Sequence, residues 1–295
     1  MNEMEKKLDE ACNYRLEWSE CRICGRRNRN RTYTVKEMMY GTREEFEYFV
    51  CDRCKCMQIA NVPGNLGDYY RDDYYSFGKR EETEFEGEGN TLARILDVGC
   101  GTGKWLLELA HDGYGNLYGC DPFIDEDISY GNRIFIKKGE INEMDGQFDC
   151  IRFGDSFEHI ANPLETLQYV KKLLTPGGRC QIRIPVFPNA AWSTFGVNWY
   201  QIDAPRHIFL HSKESMAYLC ERSGLKIEDI TYDSDVSQFL ISYLYMEGLC
   251  LNKIQELLDT VFCLNGNGLA AFEKAVKESN EKGYGDHAVF TIIHA

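Results

Sequence analysis

The hydrophobic pattern changes character at Arg94. From there, short apolar runs alternate with amphipathic ones. "RILDV" reads as a buried strand, "GKWLLELAHDG" as a helix stopped by Gly113, and "NLYGCD", "RIFIK" and "FDCIRF" as three further strands. In "NPLETLQYVKKLLTPGG", Leu164, Leu167, Val170 and Leu174 share one helical face, and Pro176-Gly177-Gly178 marks the stop. "RCQIRIP" is the fifth strand, followed by a helix in "SKESMAYLCERSG" and a strand in "LKIEDITY". Strands alternating with helices over this length predict an α/β fold, a parallel sheet covered by helices on both faces.

Regular alternation ends after Tyr232. Residues from Val236 to Asp286 read as two helices separated by "NGNG", and the closing "HAVFTIIHA" has a strand pattern. The apolar run "VSQFLISYLYMEGLCL" is interrupted by Glu247 and is short for a bilayer span, so it reads as a buried or half-buried helix. Before Arg94 lies a different kind of sequence, rich in cysteine and aromatics up to residue 78. The charged, glycine-containing "KREETEFEGEGN" then reads as a linker or exposed lead-in helix. The expected organisation is a module over 1–78 and a larger domain over 79–295 that carries the 236–286 insert.

Composition narrows the field. The chain has 295 residues and a formal net charge of -14, a balance that weighs against a long DNA or RNA partner. It shows no basic start followed by an apolar segment, so the expected location is the cytoplasm, without membrane attachment. Thirteen cysteines in a reducing compartment point to metal binding rather than disulfides.

The densest chemical signal is "ILDVGCGTG", Ile95 to Gly103. Gly103-Lys104 is followed by Trp105, and Val98 stands where a phosphate-cradling NTPase loop needs its first glycine. A dinucleotide fingerprint fits Gly99 and Gly101 but meets Lys104 at its third site. The stretch Asp97, Gly99, Gly101, Gly103 instead resembles motif I of the class I S-adenosylmethionine-dependent methyltransferases. That resemblance implies a Rossmann-like sheet whose loop, with Cys100 inside it, lies against the cofactor. Asp97 would face the ammonium of its amino-acid part. Asp121, closing "YGCD", would take the ribose hydroxyls. "FDCIRFGDSFEHIANPLETL" and "LLTPGG" resemble the fourth-strand region of small-molecule methyltransferases, which implies that Asp155 to His159 line the cleft beside the sulfonium. Glu140, after the third strand, is a candidate for the adenine side, with a solvated loop acid as the alternative.

"CRIC" and "CDRC" place Cys21, Cys24, Cys51 and Cys54 as two C-x-x-C knuckles able to share one tetrahedral zinc, a closed structural site in a small zinc ribbon. Cys56 adds a third thiol to "CDRCKC" and leaves the ligand choice open. Cys100, Cys120, Cys150 and Cys180 fall in or beside strands, as core residues do. The arginines of "GRRNRNR", between the knuckles, are candidates for phosphate contact or simply a solvated loop. In "YYRDDYYSF", Tyr70, Tyr74 and Tyr75 are candidates to lie over cofactor or substrate, with packing between domains as the alternative.

A four-cysteine module ahead of such a domain resembles the bacterial methyltransferases of nucleotide-linked deoxysugars. The resemblance implies a small, phosphate-bearing acceptor and a role in polysaccharide biosynthesis, by O- or C-methylation. In "NWYQIDAPRHIFLHS", His207 falls on that group's histidine, but Arg206 replaces its glutamate, and the group's large C-terminal domain is missing. A quinone-like or natural-product hydroxyl is the nearer alternative acceptor, and a zinc-ribbon module recognising RNA or protein is the alternative of another class. Near pH 7 a histidine is the natural proton acceptor. His207 is the expected general base, with His159 and Tyr200 positioning the acceptor and His211 as a further candidate. His159 is expected to begin a helix. Arg206 would pair with an enzyme acid or a substrate phosphate. The 236–286 insert would cover the acceptor or form a homodimer contact.

Overall fold

The computed structural model describes residues 14–70, 85, 91–253 and 266–295. In chain order the strands are β1 (Arg15–Glu20), β2 (Arg27–Lys36), β3 (Glu45–Val50), β4 (Met57–Ile59), β5 (Thr91–Val98), β6 (Tyr114–Asp121) and β7 (Ile128–Tyr130). They continue with β8 (Ile134–Lys138), β9 (Phe148–Gly154), β10 (Leu174–Pro185), β11 (Phe209–Leu210), β12 (Leu225–Tyr232) and β13 (His287–His294). The α-helices are α1 (Lys104–His111), α2 (Pro163–Leu173), α3 (Ala190–Phe195), α4 (Lys213–Ser223), α5 (Ser237–Met246) and α6 (Gly266–Glu281). No described helix is long and apolar enough to cross a membrane.

The chain forms two compact units, each assembled from separated segments. One takes the chain up to Tyr69, Pro185–Tyr218 and Thr231–Ala288; the other takes Tyr70–Ile184, Leu219–Ile230 and Val289–Ala295.

The first unit is built on a five-stranded sheet in the order β1-β2-β3-β4-β11, antiparallel at every described pairing. "GRRNRNR" is not a loop: it runs into β2, where Arg27 and Arg29 project to the exposed side and Asn30 is buried. The period-2 alternation of arginine with asparagine fits a strand better than a turn. Helix α5 packs Leu244 and Tyr245 against Met38. Phe239 of α5 stacks on Phe272 of α6 with ring centres 6.0 Å apart. The second helix starts inside "NGNG", at Gly266, rather than after it.

The second unit holds the large sheet, ordered β12-β13-β10-β9-β5-β6-β8-β7. The run β10-β9-β5-β6-β8 is parallel throughout, and β7 closes one edge antiparallel. The short β7 escaped the sequence pattern because its three residues carry too little periodicity. Leu106, Leu107 and Ala110 of α1 cover Ile95, Leu117, Ile134 and Ile136 of the strands. Helix α2 ends at Leu173, earlier than its proline, and Leu173 rather than Leu174 completes its buried face. Leu174 is already extended, and Pro176 to Gly178 lie within β10, where the register against β9 shifts. A proline disfavours helical geometry at the residue before it, so the helix must stop upstream.

The order of the parallel strands decides where a ligand can sit. β6 and β8 extend to one side of β5, β9 and β10 to the other. The chain reverses direction across the sheet between β5 and β9. In open α/β sheets, that reversal opens a crevice at the strands' carboxyl ends.

Candidate functional site

The loop after β5 lies at this reversal. Gly99, Gly101 and Gly103 all have positive φ, at 74°, 53° and 88°. At two of them space is also closed: a Cβ on Gly99 would come 2.5 Å from the Ser156 Cβ, and one on Gly103 would come 2.4 Å from the Ile136 Cδ1. At Gly99 a side chain is therefore disfavoured on both conformational and steric grounds, while at Gly103 the left-handed backbone is the main bar, since the Ile136 tip can shift. Asp121, at the end of β6, fastens the turn. Its Oδ2 accepts the Gly101 N–H at 2.8 Å, and its Oδ1 accepts the Phe123 N–H at 2.8 Å. Each oxygen keeps a second lone pair for a hydroxyl donor. A backbone cradle this close, beside a helix N-terminus and a carboxylate, suits the amino-acid and ribose parts of a nucleoside cofactor.

Asp97 is buried in β5, and Arg152 of β9 reaches it with Nη1 3.2 Å from Oδ1. Burial pushes the Asp97 carboxyl up to about 6, with Arg152 pulling the other way. Asp155 follows β9 at φ 53°, a left-handed conformation. The Arg183 Nη1 donates to both of its oxygens, at 2.8 and 2.6 Å, and its N–H donates to the Arg183 carbonyl at 2.9 Å. Such bracing is what a strained backbone needs to persist. Next to it, the Ser156 hydroxyl donates to the Val98 carbonyl at 2.7 Å, tying the β9 loop to the β5 loop. Arg152 and Arg183 escaped the sequence reading, since nothing local marks which strand residue faces which acid. Cys100 sits half-buried in the loop, its thiol pushed well above the ordinary range by burial and by Asp97. Glu140 is exposed and caps the 3-10 turn Ile141–Glu143 in a reciprocal capping box, which accounts for an acid there without a ligand.

His159 ends, rather than begins, a helical segment: the 3-10 turn Phe157–His159 precedes α2. The reason lies in the N-P that follows. Pro163 takes the first position of α2 and restricts Asn162 before it to non-helical geometry. The His159 Nδ1 lies 3.0 Å from the Tyr70 hydroxyl. Tyr70 in turn stacks on Phe123, with centres 5.9 Å apart and planes at 16°. Phe123 is 65% exposed and is anchored through its N–H to Asp121, so an aromatic surface stands beside the glycine loop. Tyr74 and Tyr75 lie outside the described residues.

Tyr200, Arg206, His207 and His211 belong to the first unit. Arg206 is fully buried. Its Nη2 lies 2.5 Å from Asp203 Oδ1 and 3.2 Å from Glu37 Oε1. Burial alone would lower its pKa, but the two carboxylates outweigh it and hold the guanidinium charged. Of the two partners left open by sequence, the chain's own acids have it. His207 is buried, its Nδ1 2.7 Å from the Gln201 carbonyl oxygen. A carbonyl can only accept, so Nδ1 carries the proton in this contact and Nε2 is the basic nitrogen of the neutral ring. Nε2 lies 3.8 Å from Asp203 Oδ2. The Tyr200 hydroxyl lies 3.0 Å from Ser237 Oγ and accepts from Gln201 at 2.7 Å. Burial first, then the charge of Asp286, pushes this phenol well above its ordinary pKa. His211 is wholly buried against Ser215, and burial pushes it down to about 3.

The two knuckles form one centre in the first unit. The turn from Cys21 closes with Gly25 N–H on the Cys21 carbonyl at 2.9 Å. The turn from Cys51 closes with Lys55 N–H on the Cys51 carbonyl at 3.1 Å. The residues after the second cysteines, Gly25 and Lys55, share positive φ at 67° and 58°, so the turns repeat one another. The Sγ atoms of Cys21, Cys24, Cys51 and Cys54 lie within 4.8 Å of one another, with Cys21–Cys54 at 3.5 Å and Cys24–Cys51 at 3.6 Å. A tetrahedral zinc with Zn–S of about 2.3 Å needs S···S edges of about 3.8 Å, so the donor set fits it. Gln58 Nε2 donates to the Cys21 sulfur at 3.1 Å, as an outer partner to a thiolate would. Cys56 stands outside the cluster; its thiol turns to the Met57 carbonyl.

A family model described as a methyltransferase domain matches residues 70–230. An uncharacterized 37.1 kDa protein in transposon TN4556 of Streptomyces fradiae is 27% identical over 128 residues, which cover 39% of this chain and 35% of that protein. The matched stretch thus spans about a third of that relative's length. Among solved structures, the chain is similar to the mitomycin 7-O-methyltransferase MmcR, at 14% identity and TM-score 0.42, covering 69% of this chain and 49% of that one. It is similar as well to an O-methyltransferase from a trans-AT polyketide synthase multienzyme of Brevibacillus brevis in complex with S-adenosyl-L-homocysteine, at 15% identity and TM-score 0.42, covering 69% and 67%. A third is a putative sarcosine dimethylglycine methyltransferase from Galdieria sulphuraria, at 17% identity and TM-score 0.42, covering 68% and 76%.

Proposed function

The chain belongs to the methyltransferase-domain family, and on that premise we propose that it transfers a methyl group from S-adenosyl-L-methionine to a small polar acceptor, a sugar nucleotide or glycan precursor. The observation that carries the reading is the glycine loop held by Asp121 at the sheet's reversal point. When bound, S-adenosyl-L-methionine supplies the activated methyl on its sulfonium. The remaining work falls to the chain's own residues. The loop amides and the N-terminus of α1 receive the carboxylate, Asp97 faces the ammonium, and Asp121 orients the ribose. Asp155 would border the sulfonium side.

A hydroxyl or an acidic C–H must lose a proton as the methyl arrives, and alignment with the methyl carbon supplies much of the rate. We assign His207 as the general base, acting through Nε2, with its tautomer set by Gln201. His159, steadied by Tyr70, and Tyr200, tied to α5 through Ser237, position the acceptor. The insert carrying α5 and α6 serves the acceptor side. We assign a structural zinc to Cys21, Cys24, Cys51 and Cys54, four thiolates that leave no open coordination position. We place the chain in the cytoplasm, where thiols stay reduced and can hold zinc.

Calorimetry with S-adenosyl-L-homocysteine tests the cofactor, and methyl-labelled S-adenosyl-L-methionine screened against nucleotide sugars tests the acceptor. Binding that Gly101→Arg abolishes, with label transferred to a nucleotide sugar, is the expected result. Tight NAD binding without S-adenosyl-L-homocysteine binding sinks the reading. Label transferred only to quinone-like or natural-product hydroxyls changes the acceptor.

A further inference from the structure

Arg152 is held between the buried Asp97 and the ring of Trp105. It stands on β9 directly beside Asp97 of β5 in the parallel register, so both side chains leave the sheet on one face. Its Nη1 lies 3.2 Å from Asp97 Oδ1, and its guanidinium carbon lies 4.3 Å from the centre of the Trp105 ring, in the first turn of α1. Gly154, two residues on, leaves room for it: a Cβ there would come 2.4 Å from the Arg152 Nη2. The pair is unequally exposed, at 24% for the Arg152 side chain and 4% for Asp97.

We infer that Arg152 is a positioning residue for cofactor capture: it holds the buried Asp97 carboxylate charged and in one orientation, ready for the ammonium of S-adenosyl-L-methionine. The inference rests on the cofactor reading above. Its physical basis is that a carboxylate buried without a cation takes up a proton rather than stay ionised. Burial is the largest influence on Asp97, and Arg152 is what opposes it. The other groups that face it do not help. Asp121, at the end of β6, pushes the same way as burial. Cys100 in the loop, Cys120 on β6 and Cys150 on β9 are thiols whose pKa values are raised by burial and then by neighbouring carboxylates, so they are neutral near pH 7 and add no positive charge. An arginine keeps its proton at any working pH, and its flat guanidinium stacks on Trp105 as a lysine could not.

The test is the pH profile of S-adenosyl-L-homocysteine affinity, measured by calorimetry on the full chain. In the native protein affinity falls as pH drops through about 6. In Arg152→Gln the midpoint moves up by about two units, with a loss of about tenfold at pH 7 that shrinks again at higher pH. Arg152→Lys keeps most of the native profile, and Asp97→Asn removes this step from both backgrounds. The ligand's own titration cancels in the ratio of variant to native. Thermal melts of both Arg152 variants establish that they are folded at the pH of measurement. A loss in Arg152→Gln that is the same at every pH, or no loss, overturns the inference alone. Failure of the native protein to bind S-adenosyl-L-homocysteine at any pH overturns the cofactor reading and this inference with it.

Discussion

Gly99 and Ser156 come from loops at the ends of neighbouring strands, and a Cβ on the glycine would lie 2.5 Å from the Cβ of the serine. The Ser156 hydroxyl is held in place by the Val98 carbonyl, so the serine cannot easily withdraw. Gly99→Ala should therefore cost roughly 2–4 kcal/mol, from the left-handed backbone and from overpacking together. Adding Ser156→Gly removes the clash but not the backbone strain. The double variant should recover part of the loss in urea unfolding. Full recovery would mean that conformation at Gly99 costs nothing.

In the proposed assignment, Asp97 sets stability against function. Its folded pKa of about 6 lies above the ordinary 3.8, so the folded state keeps a proton there that the unfolded chain has already released. Stability contributed by this group is complete below about pH 4 and is lost as pH rises through about 6. Asp97→Asn should stabilise the ligand-free protein at pH 7 by about 1–3 kcal/mol and leave it unchanged at pH 4, while weakening cofactor binding. Melting curves at the two pH values check this. A variant that is less stable at pH 7 would contradict it.

His211 works on the acid side. Buried and pushed down to about 3, it stays neutral in the folded protein while the unfolded chain takes up a proton below about 6.5. Its contribution is intact above pH 6.5 and drains away as pH falls towards 3. His211→Asn should lower stability at pH 7, because the site loses ring packing against Phe209, but should flatten the decline below about pH 6. An acid limb as steep as that of the native protein would refute the assignment.

For the four-cysteine centre, elemental analysis should find one zinc per chain. Cys24→Ser or Cys51→Ser should lose it and unfold the surrounding strands, since such a metal contributes directly to folding. Cys56→Ser should keep it, because that thiol turns to the Met57 carbonyl instead. Gln58→Leu removes the donor to the Cys21 sulfur and should weaken zinc affinity about 10- to 100-fold in a competition with a chelator. Zinc retained by Cys24→Ser and lost by Cys56→Ser would reassign the ligands.

For the base, His207→Ala should lower turnover about 10²- to 10⁴-fold while leaving S-adenosyl-L-methionine affinity nearly unchanged. Tyr70→Phe removes the hydroxyl beside the His159 Nδ1 and should have a smaller effect, through positioning. If His159→Ala abolishes turnover and His207→Ala does not, the two roles exchange. Activity in both single variants would mean that alignment alone drives transfer.

Legibility differed by kind of feature. The glycine loop, Asp121 and both C-x-x-C knuckles could be read because each is local. Positive φ, a C-x-x-C turn and an acid at a strand end are demands met within a few residues of chain. The strand–helix alternation from Arg94 was legible for the same reason, through periodicity. Element ends were less so. The helix expected to run to Pro176 stops at Leu173, and His159 closes a short turn instead of opening a helix. In both cases a proline acts on the residues before it.

Pairings across strands needed the folded chain. Asp97 and Arg152 stand side by side only in the parallel register of β5 and β9, and Arg183 reaches Asp155 from the next strand over. Arg206 is held by Glu37, just past β2, as well as by nearby Asp203. Even the need for glycine at position 99 has two sources: its left-handed φ belongs to the loop, but the obstruction belongs to Ser156, a neighbour brought in by β9. Register is chosen by the sum of core contacts along two strands, and no single residue carries that information. The sequence alone therefore determined which local devices this protein contains, and tertiary packing decided which distant side chains brace them.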